Sequence, residues 1–170
     1  MPSIRVAVAA VAAVLAGALA GCGGDDEDSP DLGGSWTGTL NVTSAWAGVY
    51  PNGHGTVDVN AGDGTSVQLA VGGLGSGIEY TAHVHVGECD ENPPGGGHWL
   101  ADASGEDAAG NIIELTLTTS STGTGEVTGS SDLVLDDRAE SVVVHAPDSV
   151  VQAEGLDSDR VLCGDLDDQD

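Results

Sequence analysis

The sequence of 170 residues contains no lysine, and its three arginines stand against 28 aspartates and glutamates, so that the formal net charge is −25 at pH 7. Proteins bind nucleic acids largely through lysine and arginine, whose charges release the counterions of the phosphates. The scarcity of positive charge therefore argues strongly against nucleic acid as a partner. It also disfavours direct binding to anionic membrane surfaces.

Phenylalanine is absent as well, and aromatic residues make up only 3% of the chain. The hydrophobic core must therefore consist mainly of valine, leucine, isoleucine and alanine. The 27 glycines, together with many threonines, serines and valines, favour strands and turns over helices. No helical period of useful length and no fixed-period repeat appear after residue 30. The length suits one domain, so we predict a single acidic all-β domain.

The first 22 residues have the pattern of an export signal. Arg5 precedes an apolar run at residues 6–19, which is too short to span a bilayer comfortably. The run ends in Leu19-Ala20-Gly21-Cys22, which resembles a bacterial lipobox, in which the cysteine is lipidated and becomes the mature N-terminus. We predict a lipoprotein signal peptide at residues 1–22 and an extracytoplasmic protein anchored through Cys22, at the cell surface or in the periplasm. A simple cleaved signal with an incidental cysteine is the alternative.

After the signal, residues 23–34 are predicted to be an acidic flexible tether, and residues 35–170 a β domain. Short strand-like segments are separated by turn clusters such as Ala61-Gly62-Asp63-Gly64. Eight or nine short strands at this spacing indicate an antiparallel sandwich or barrel. The predicted strands are 36–42, 56–60, 67–71, 80–86, 112–118, 126–128, 133–135, 141–144 and 160–162.

Histidines carry the main chemical signal of the sequence. Two of them lie two residues apart in the strand predicted at residues 80–86. Residues at this spacing point to the same face, so both imidazoles lie on one face of the sheet. One follows the glycine-rich part of the long segment 87–110, and one ends the apolar run 141–145. Four imidazoles without a thiolate or an acidic ligand suit a borderline metal, and a planar arrangement favours Cu(II). We therefore predict a copper site formed by His83, His85, His98 and His145.

Two cysteines remain after the signal, Cys89 and Cys163. Disulfides persist in exported proteins, and an even pair that is far apart in sequence suggests one bridge across the domain. The fifth histidine, His54, lies in a turn and is predicted to be a surface residue. Trp99 is predicted to pack behind His98.

Five separated motifs resemble, in order and context, those of copper/zinc superoxide dismutases. The resemblance extends over about residues 55–164. It implies an antiparallel Greek-key β-sandwich or barrel of about eight strands, and an enzyme that converts superoxide to O₂ and H₂O₂. The motifs are His83-Val84-His85, Cys89, Gly97-His98, Val143-Val144-His145 and Arg160-Val161-Leu162-Cys163-Gly164.

The resemblance also implies a role for each matching residue. His98 matches the histidine that bridges copper to zinc and takes up a proton when copper is reduced. Arg160 matches the active-site arginine that attracts and positions superoxide; an ordinary arginine paired to Asp159 or Asp165 is the alternative. Cys89 and Cys163 match the intrachain disulfide, and the copper ligands are matched by His83, His85, His98 and His145.

The sequence departs from the family where zinc binds. No histidine lies between His98 and His145, and the strand pattern resumes by about Ile112, so the family's zinc-binding loop is nearly absent. We therefore expect one copper ion and no zinc, as in the copper-only members of the family. Without zinc, the second nitrogen of His98 needs another partner, and Glu106 and Asp107 are candidates.

Two other functions stay open at this point. A copper-sequestering or copper-delivery protein on the same fold would need the histidines but not Arg160. A metal-free structural lipoprotein would need neither. For the enzyme, the partners are the superoxide anion and a membrane reached through the lipid anchor only. The tail after Gly164 is too polar for a normal final strand, and the oligomeric state is left open.

Overall fold

A computed structural model describes residues 33–169 of the chain. The predicted signal peptide, Cys22 and most of the predicted tether lie outside the described residues. Over the described range, no helix has the length and apolar character required to cross a bilayer. The elements are β1 (Gly34–Val42), β2 (His54–Ala61), β3 (Thr65–Gly72), β4 (Glu79–His85), β5 (Glu114–Thr118), β6 (Gly125–Ser131), β7 (Ser141–His145), α1 (Asp148–Glu154), β8 (Arg160–Asp165) and β9 (Asp167–Asp168).

The strands form one antiparallel sheet in the order β5-β4-β7-β8-β1-β2-β3-β6, with β9 added to β1. The two end strands, β5 and β6, also pack against each other, so the sheet curls into a nearly closed barrel. Several neighbouring strands are distant in sequence, as in Greek-key folds. The predicted all-β antiparallel barrel of about eight strands is confirmed.

The core follows from alternation along the strands. In β2 every second residue is buried, and Val57 and Val59 point inward. Val67 and Leu69 of β3 follow the same period, as expected for strands with one face on a core. The core is mainly aliphatic, as predicted, and the tryptophans are buried within it rather than displayed on the surface.

One predicted strand, at residues 133–135, is not formed. Leu135 is fully buried, but its backbone does not join a ladder. Its N–H donates to the Thr65 hydroxyl at 3.1 Å, and its carbonyl accepts from the Gly33 N–H at 2.9 Å. The apolar residues at 133–135 therefore indicated a core residue rather than a strand. The two hydrogen bonds of Leu135 take the place of strand pairing.

Two short elements were not expected from the sequence. Helix α1 has only seven residues and fully buries none of them, although Val150 and Val151 pack partly against the core, so it is too short to give a helical period. It ends at Gly155, whose φ of 69° is the left-handed conformation that glycine favours at helix ends. The polar tail forms β9, which pairs with Trp36 and Thr37 of β1. Both β9 residues are exposed, and only their backbones are needed for pairing.

Candidate metal centre

Four histidines from two strands and one loop meet at one end of the sheet. Strands β4 and β7 are antiparallel neighbours, and the loop after β4 returns so that His98 pairs with His85. Each histidine offers one ring nitrogen, and these four atoms lie within 4.8 Å of one another. The structure thus brings together all four residues that the sequence singled out, which are His83, His85, His98 and His145. The cluster could hold a metal ion.

The register of the strands explains this convergence. Residues His83 and His85 are two apart in β4, so their side chains leave the same face of the sheet, while Val84 enters the core on the other face. His145 of β7 stands opposite Thr81, diagonal to His83. Such diagonal neighbours lie within reach of long side chains, and the rings of His83 and His145 are 5.1 Å apart between centroids.

Three of the four rings donate a hydrogen bond to a carboxylate. A ring nitrogen that carries this proton leaves the other nitrogen with a free lone pair, and the bond fixes the orientation of the ring. Each of the three carboxylates is about half exposed. The pairs are His83 Nε2 with Glu114 at 3.0 Å, His98 Nδ1 with Asp107 at 2.9 Å, and His145 Nδ1 with Asp159 at 3.0 Å.

Of the two candidate partners for His98, Asp107 makes the contact. Glu106 instead accepts a hydrogen bond from Asn111 through its main-chain carbonyl. The carboxylates of Glu114 and Asp159 were not recognised as histidine partners in the sequence. Glu114 faces His83 across the β4–β5 ladder, a pairing that the sequence did not specify.

The remaining ring nitrogens fit a metal ligand set. The Nδ1 atoms of His83 and His85 are buried and have no hydrogen-bond partner, although buried polar atoms normally have one. The Nε2 atoms of His85 and His145 face each other at 3.3 Å. Metal–nitrogen bonds of about 2.0–2.1 Å put opposite nitrogens roughly 4.2 Å apart, close to the span of this cluster. The residues present therefore fit a metal ion.

Burial keeps two of these rings neutral. Desolvation lowers the pKa of His85 to about 3, and electrostatic interactions with the neighbouring groups, that with His145 first, lower it further. Burial also lowers the pKa of His83, against the opposing hydrogen bond to Glu114. Because a histidine must be deprotonated to bind a metal, both rings are in the binding form at neutral pH.

Arg160 lies beside the cluster at the start of β8, where it pairs with His145 of β7. Its guanidinium donates to the carbonyl of Pro94. Within residues 33–169 it forms no ion pair with a carboxylate. The two carboxylates considered as its partners are engaged elsewhere, Asp159 with the ring of His145 and Asp165 with the Cys89 N–H at 2.7 Å.

The predicted disulfide between Cys89 and Cys163 is present, with a Cα–Cα distance of 5.6 Å. It links the loop after β4 to β8. Because the same loop contains Pro94 and continues to His98, the bridge holds the partner of Arg160 and one candidate ligand against the last long strand.

Trp99, which follows His98 in the chain, belongs to a polar cluster with Asp136 and Arg138. Trp99 is buried, and its indole N–H donates to Asp136 at 2.9 Å. Arg138 pairs with the same carboxylate at 2.6 Å. Burial raises the pKa of Asp136, but the hydrogen bonds from Arg138 and Trp99 outweigh this effect and hold it below its ordinary value. This cluster had no recognisable signal in the sequence.

No protein-family model matches the chain, and no curated protein sequence matches it. Any functional assignment therefore depends on the residues of the site and on the fold.

Replacing Asp107 with asparagine is expected to weaken metal binding by about 10–100-fold, the usual cost of losing the carboxylate partner of a ligating histidine. The Asp107 side chain is 54% exposed, so the fold should be unaffected. Competition with a chelator measures the affinity. Glu106→Gln is the matched control, since this neighbouring carboxylate does not contact His98; equal effects of the two substitutions would contradict the assignment.

Proposed function

We propose that the protein is a copper-dependent superoxide dismutase, which converts two superoxide anions and two protons to O₂ and H₂O₂. The observation that carries the proposal is the four-histidine cluster with an arginine beside it that has no carboxylate partner in the described residues. The motifs shared with copper/zinc superoxide dismutases support the same assignment, because each shared histidine takes part in this cluster.

The donor set favours copper. All four groups are imidazole nitrogens, and Cu(II) binds most tightly among the divalent metals of the series to sites of this kind. The residues that would hold the ion are His83, His85, His98 and His145. When bound, copper supplies the one-electron oxidation and reduction that dismutation requires. Zinc is not expected, because the Nδ1 atom of His98 is bound to Asp107.

Arg160 would hold the substrate. Its planar guanidinium carries a permanent charge and several hydrogen-bond donors, which suits a small anion. A storage protein has no need of such a group. The Pro94 carbonyl fixes one guanidinium nitrogen and leaves other donors of the guanidinium for the anion.

His98 would handle the proton. Its side chain is 23% exposed, against 11% for His83 and 8% for His145, so among these three it is the ring most accessible to water. The Nδ1–H group is held by Asp107, so Nε2 would be the ligand atom of this ring. When not ligated, Nε2 could take up a proton, which would create an imidazolium next to that carboxylate. The pair would store the proton until the reduced product needs it.

The expected location is outside the cytoplasm, with the lipid anchor at Cys22. The disulfide between Cys89 and Cys163 supports this location, since such bonds persist in oxidising compartments and are rare in the cytosol. The substrate would be superoxide that arises outside the cytoplasm.

The net charge of −25 repels superoxide, so attraction must come from the local field of Arg160. Charges beyond about 8 Å are largely screened at physiological salt. We therefore expect kcat/KM to stay flat or rise with ionic strength. Arg160→Ala should lower kcat/KM by about tenfold or more, the lower range for electrostatic steering, and Arg160→Lys should restore part of it. A steep fall of the wild-type rate with salt would contradict this account.

The first experiment combines metal analysis with a dismutation assay on the copper-loaded protein and on His145→Ala. We expect copper near one equivalent, no zinc, and loss of activity in the variant. Bound copper without turnover would identify the alternative, a copper-sequestering protein on the same fold. Absence of bound copper would overturn the metal assignment itself.

A further inference from the structure

Some of the few aromatic residues of the chain are clustered together. Three of the five tyrosines and tryptophans contact one another. The rings of Trp46 and Tyr50 stack with centroids 5.5 Å apart and planes inclined by 11°. The Tyr80 hydroxyl donates to the Tyr50 hydroxyl at 3.2 Å. In a protein that has no phenylalanine, this is a notable concentration of oxidisable rings.

The local backbone places these rings together. The Tyr50 N–H donates to the Trp46 carbonyl at 2.9 Å, as in one turn of a helix, and residues four apart on such a turn share a face. At Gly75, a Cβ atom would lie 2.6 Å from the Tyr50 hydroxyl and 3.2 Å from that of Tyr80. The absence of a side chain at Gly75 therefore lets the two hydroxyls meet.

Trp46 is also connected to the histidine cluster. Its indole N–H donates to the carbonyl of Ser158 at 2.9 Å. That carbonyl belongs to the peptide bond that joins Ser158 to Asp159, and the Asp159 carboxylate accepts the hydrogen bond of His145 at 3.0 Å. Two hydrogen bonds and a few covalent bonds thus join a candidate copper ligand to the indole.

The path leads from the interior to the surface. Trp46 and Tyr80 are fully buried, whereas Tyr50 is partly exposed. Burial raises the pKa of Tyr80, so its hydroxyl stays protonated and continues to donate to the Tyr50 oxygen. Within residues 33–169 the Tyr50 hydroxyl accepts this bond and donates to no protein atom.

We propose that Trp46 and Tyr50 form an electron relay that protects the metal centre from oxidation by hydrogen peroxide. The proposal rests on the proposed function, because peroxide is the product of dismutation. A copper ion held by the four histidines would, when reduced, supply one electron to hydrogen peroxide, whose O–O bond would break to yield hydroxide and a hydroxyl-radical equivalent. In the absence of a relay, this oxidant attacks the nearest histidine rings.

With the relay, the oxidant takes one electron from the Trp46 indole and becomes hydroxide. The indole radical cation then takes one electron from Tyr50, whose phenolic proton passes to water. The neutral tyrosyl radical at the surface is reduced by one electron and one proton from an external thiol, which becomes a thiyl radical. At the end both side chains are restored, and the oxidising equivalent has left the protein.

The test uses the full copper-loaded protein treated with hydrogen peroxide. Freeze-quench electron paramagnetic resonance detects a tyrosyl radical, and peptide mass spectrometry measures oxidation of the histidines. We expect the radical in wild type and its loss in Tyr50→Phe and Trp46→Phe, with a several-fold increase in histidine oxidation in both.

Trp36→Phe is the matched control. This buried indole makes no ring contact or side-chain hydrogen bond in the described residues, and its loss should change neither readout. Equal histidine oxidation in all four proteins would overturn the relay.

A second arm separates the relay from the dismutase. Dismutation is measured on the same four samples and should be unchanged by the substitutions. Wild type that is copper-loaded but inactive would contradict the proposed function without affecting the peroxide readouts.

In the metal-free chain, one-electron oxidation by azide radicals in pulse radiolysis should produce a tryptophan radical that decays into a tyrosyl radical. Retention of this transfer in Trp46→Phe would overturn the assignment of Trp46. Failure of the chain to bind copper would overturn its link to the metal centre.

Discussion

Replacement of His85 with alanine is expected to abolish dismutation and to lower the metal affinity. Loss of the hydrogen-bond partner of a ligand costs roughly 10–100-fold in affinity, and loss of the ligand itself should cost far more. His85 is fully buried. Its Nε2 atom faces that of His145 at 3.3 Å. Removal of this ring deletes one of four candidate ligands, and within residues 33–169 no fifth side chain belongs to the cluster.

The matched control is His54→Ala, because His54 is exposed at the start of β2 and takes no part in the cluster. Metal content by mass spectrometry and the dismutation rate should match wild type in this variant. Thermal unfolding of both metal-free variants shows whether the fold is retained. Full copper occupancy in a folded His85→Ala protein would show that the ion binds somewhere other than this cluster.

Removal of the disulfide by the double substitution Cys89→Ser and Cys163→Ser should have the largest effect on stability. The two cysteines are 74 residues apart, and closing a loop of this length stabilises a fold by about 4–5 kcal/mol in the chain-entropy model. Urea unfolding of oxidised wild type and of the variant measures the difference. Chemically reduced wild type serves as the control and should behave like the variant.

The same substitution should also lower kcat/KM while copper occupancy is retained. Neither cysteine belongs to the histidine cluster, but the loop that the bridge anchors contains Pro94, the hydrogen-bond partner of Arg160. A freed loop would let the guanidinium move away from the site. Unchanged unfolding and unchanged kinetics together would show that the remaining loop contacts are sufficient.

The sequence predicted the parts of the structure that depend on local periodicity. Alternation in β2 and β3 identified their buried faces, and the spacing of His83 and His85 placed two rings on one side of a strand. Local turn chemistry likewise separated most strands correctly. These features depend on residues that are close together in the chain.

Features that depend on pairing between distant segments could not be predicted in this way. The contact between His83 and Glu114 requires the register of β4 against β5. The buried pair of Asp136 and Arg138 lies in a loop without periodicity. At Leu135, a buried apolar residue was mistaken for a strand, because an anchored core residue and a strand residue have the same local composition.

The position of β1 in the sheet has a consequence for the order of biogenesis. This first strand pairs on one side with β2 and on the other with β8, where Asn41 and Val42 stand opposite Cys163 and Leu162. β8 also carries Arg160 and adjoins the strand of His145. The barrel therefore cannot close around its histidines before residues 160–165 have been synthesised, and pairings this distant form slowly. Any capture of a metal ion by the four histidines is accordingly a late event, which requires β8 to be in place.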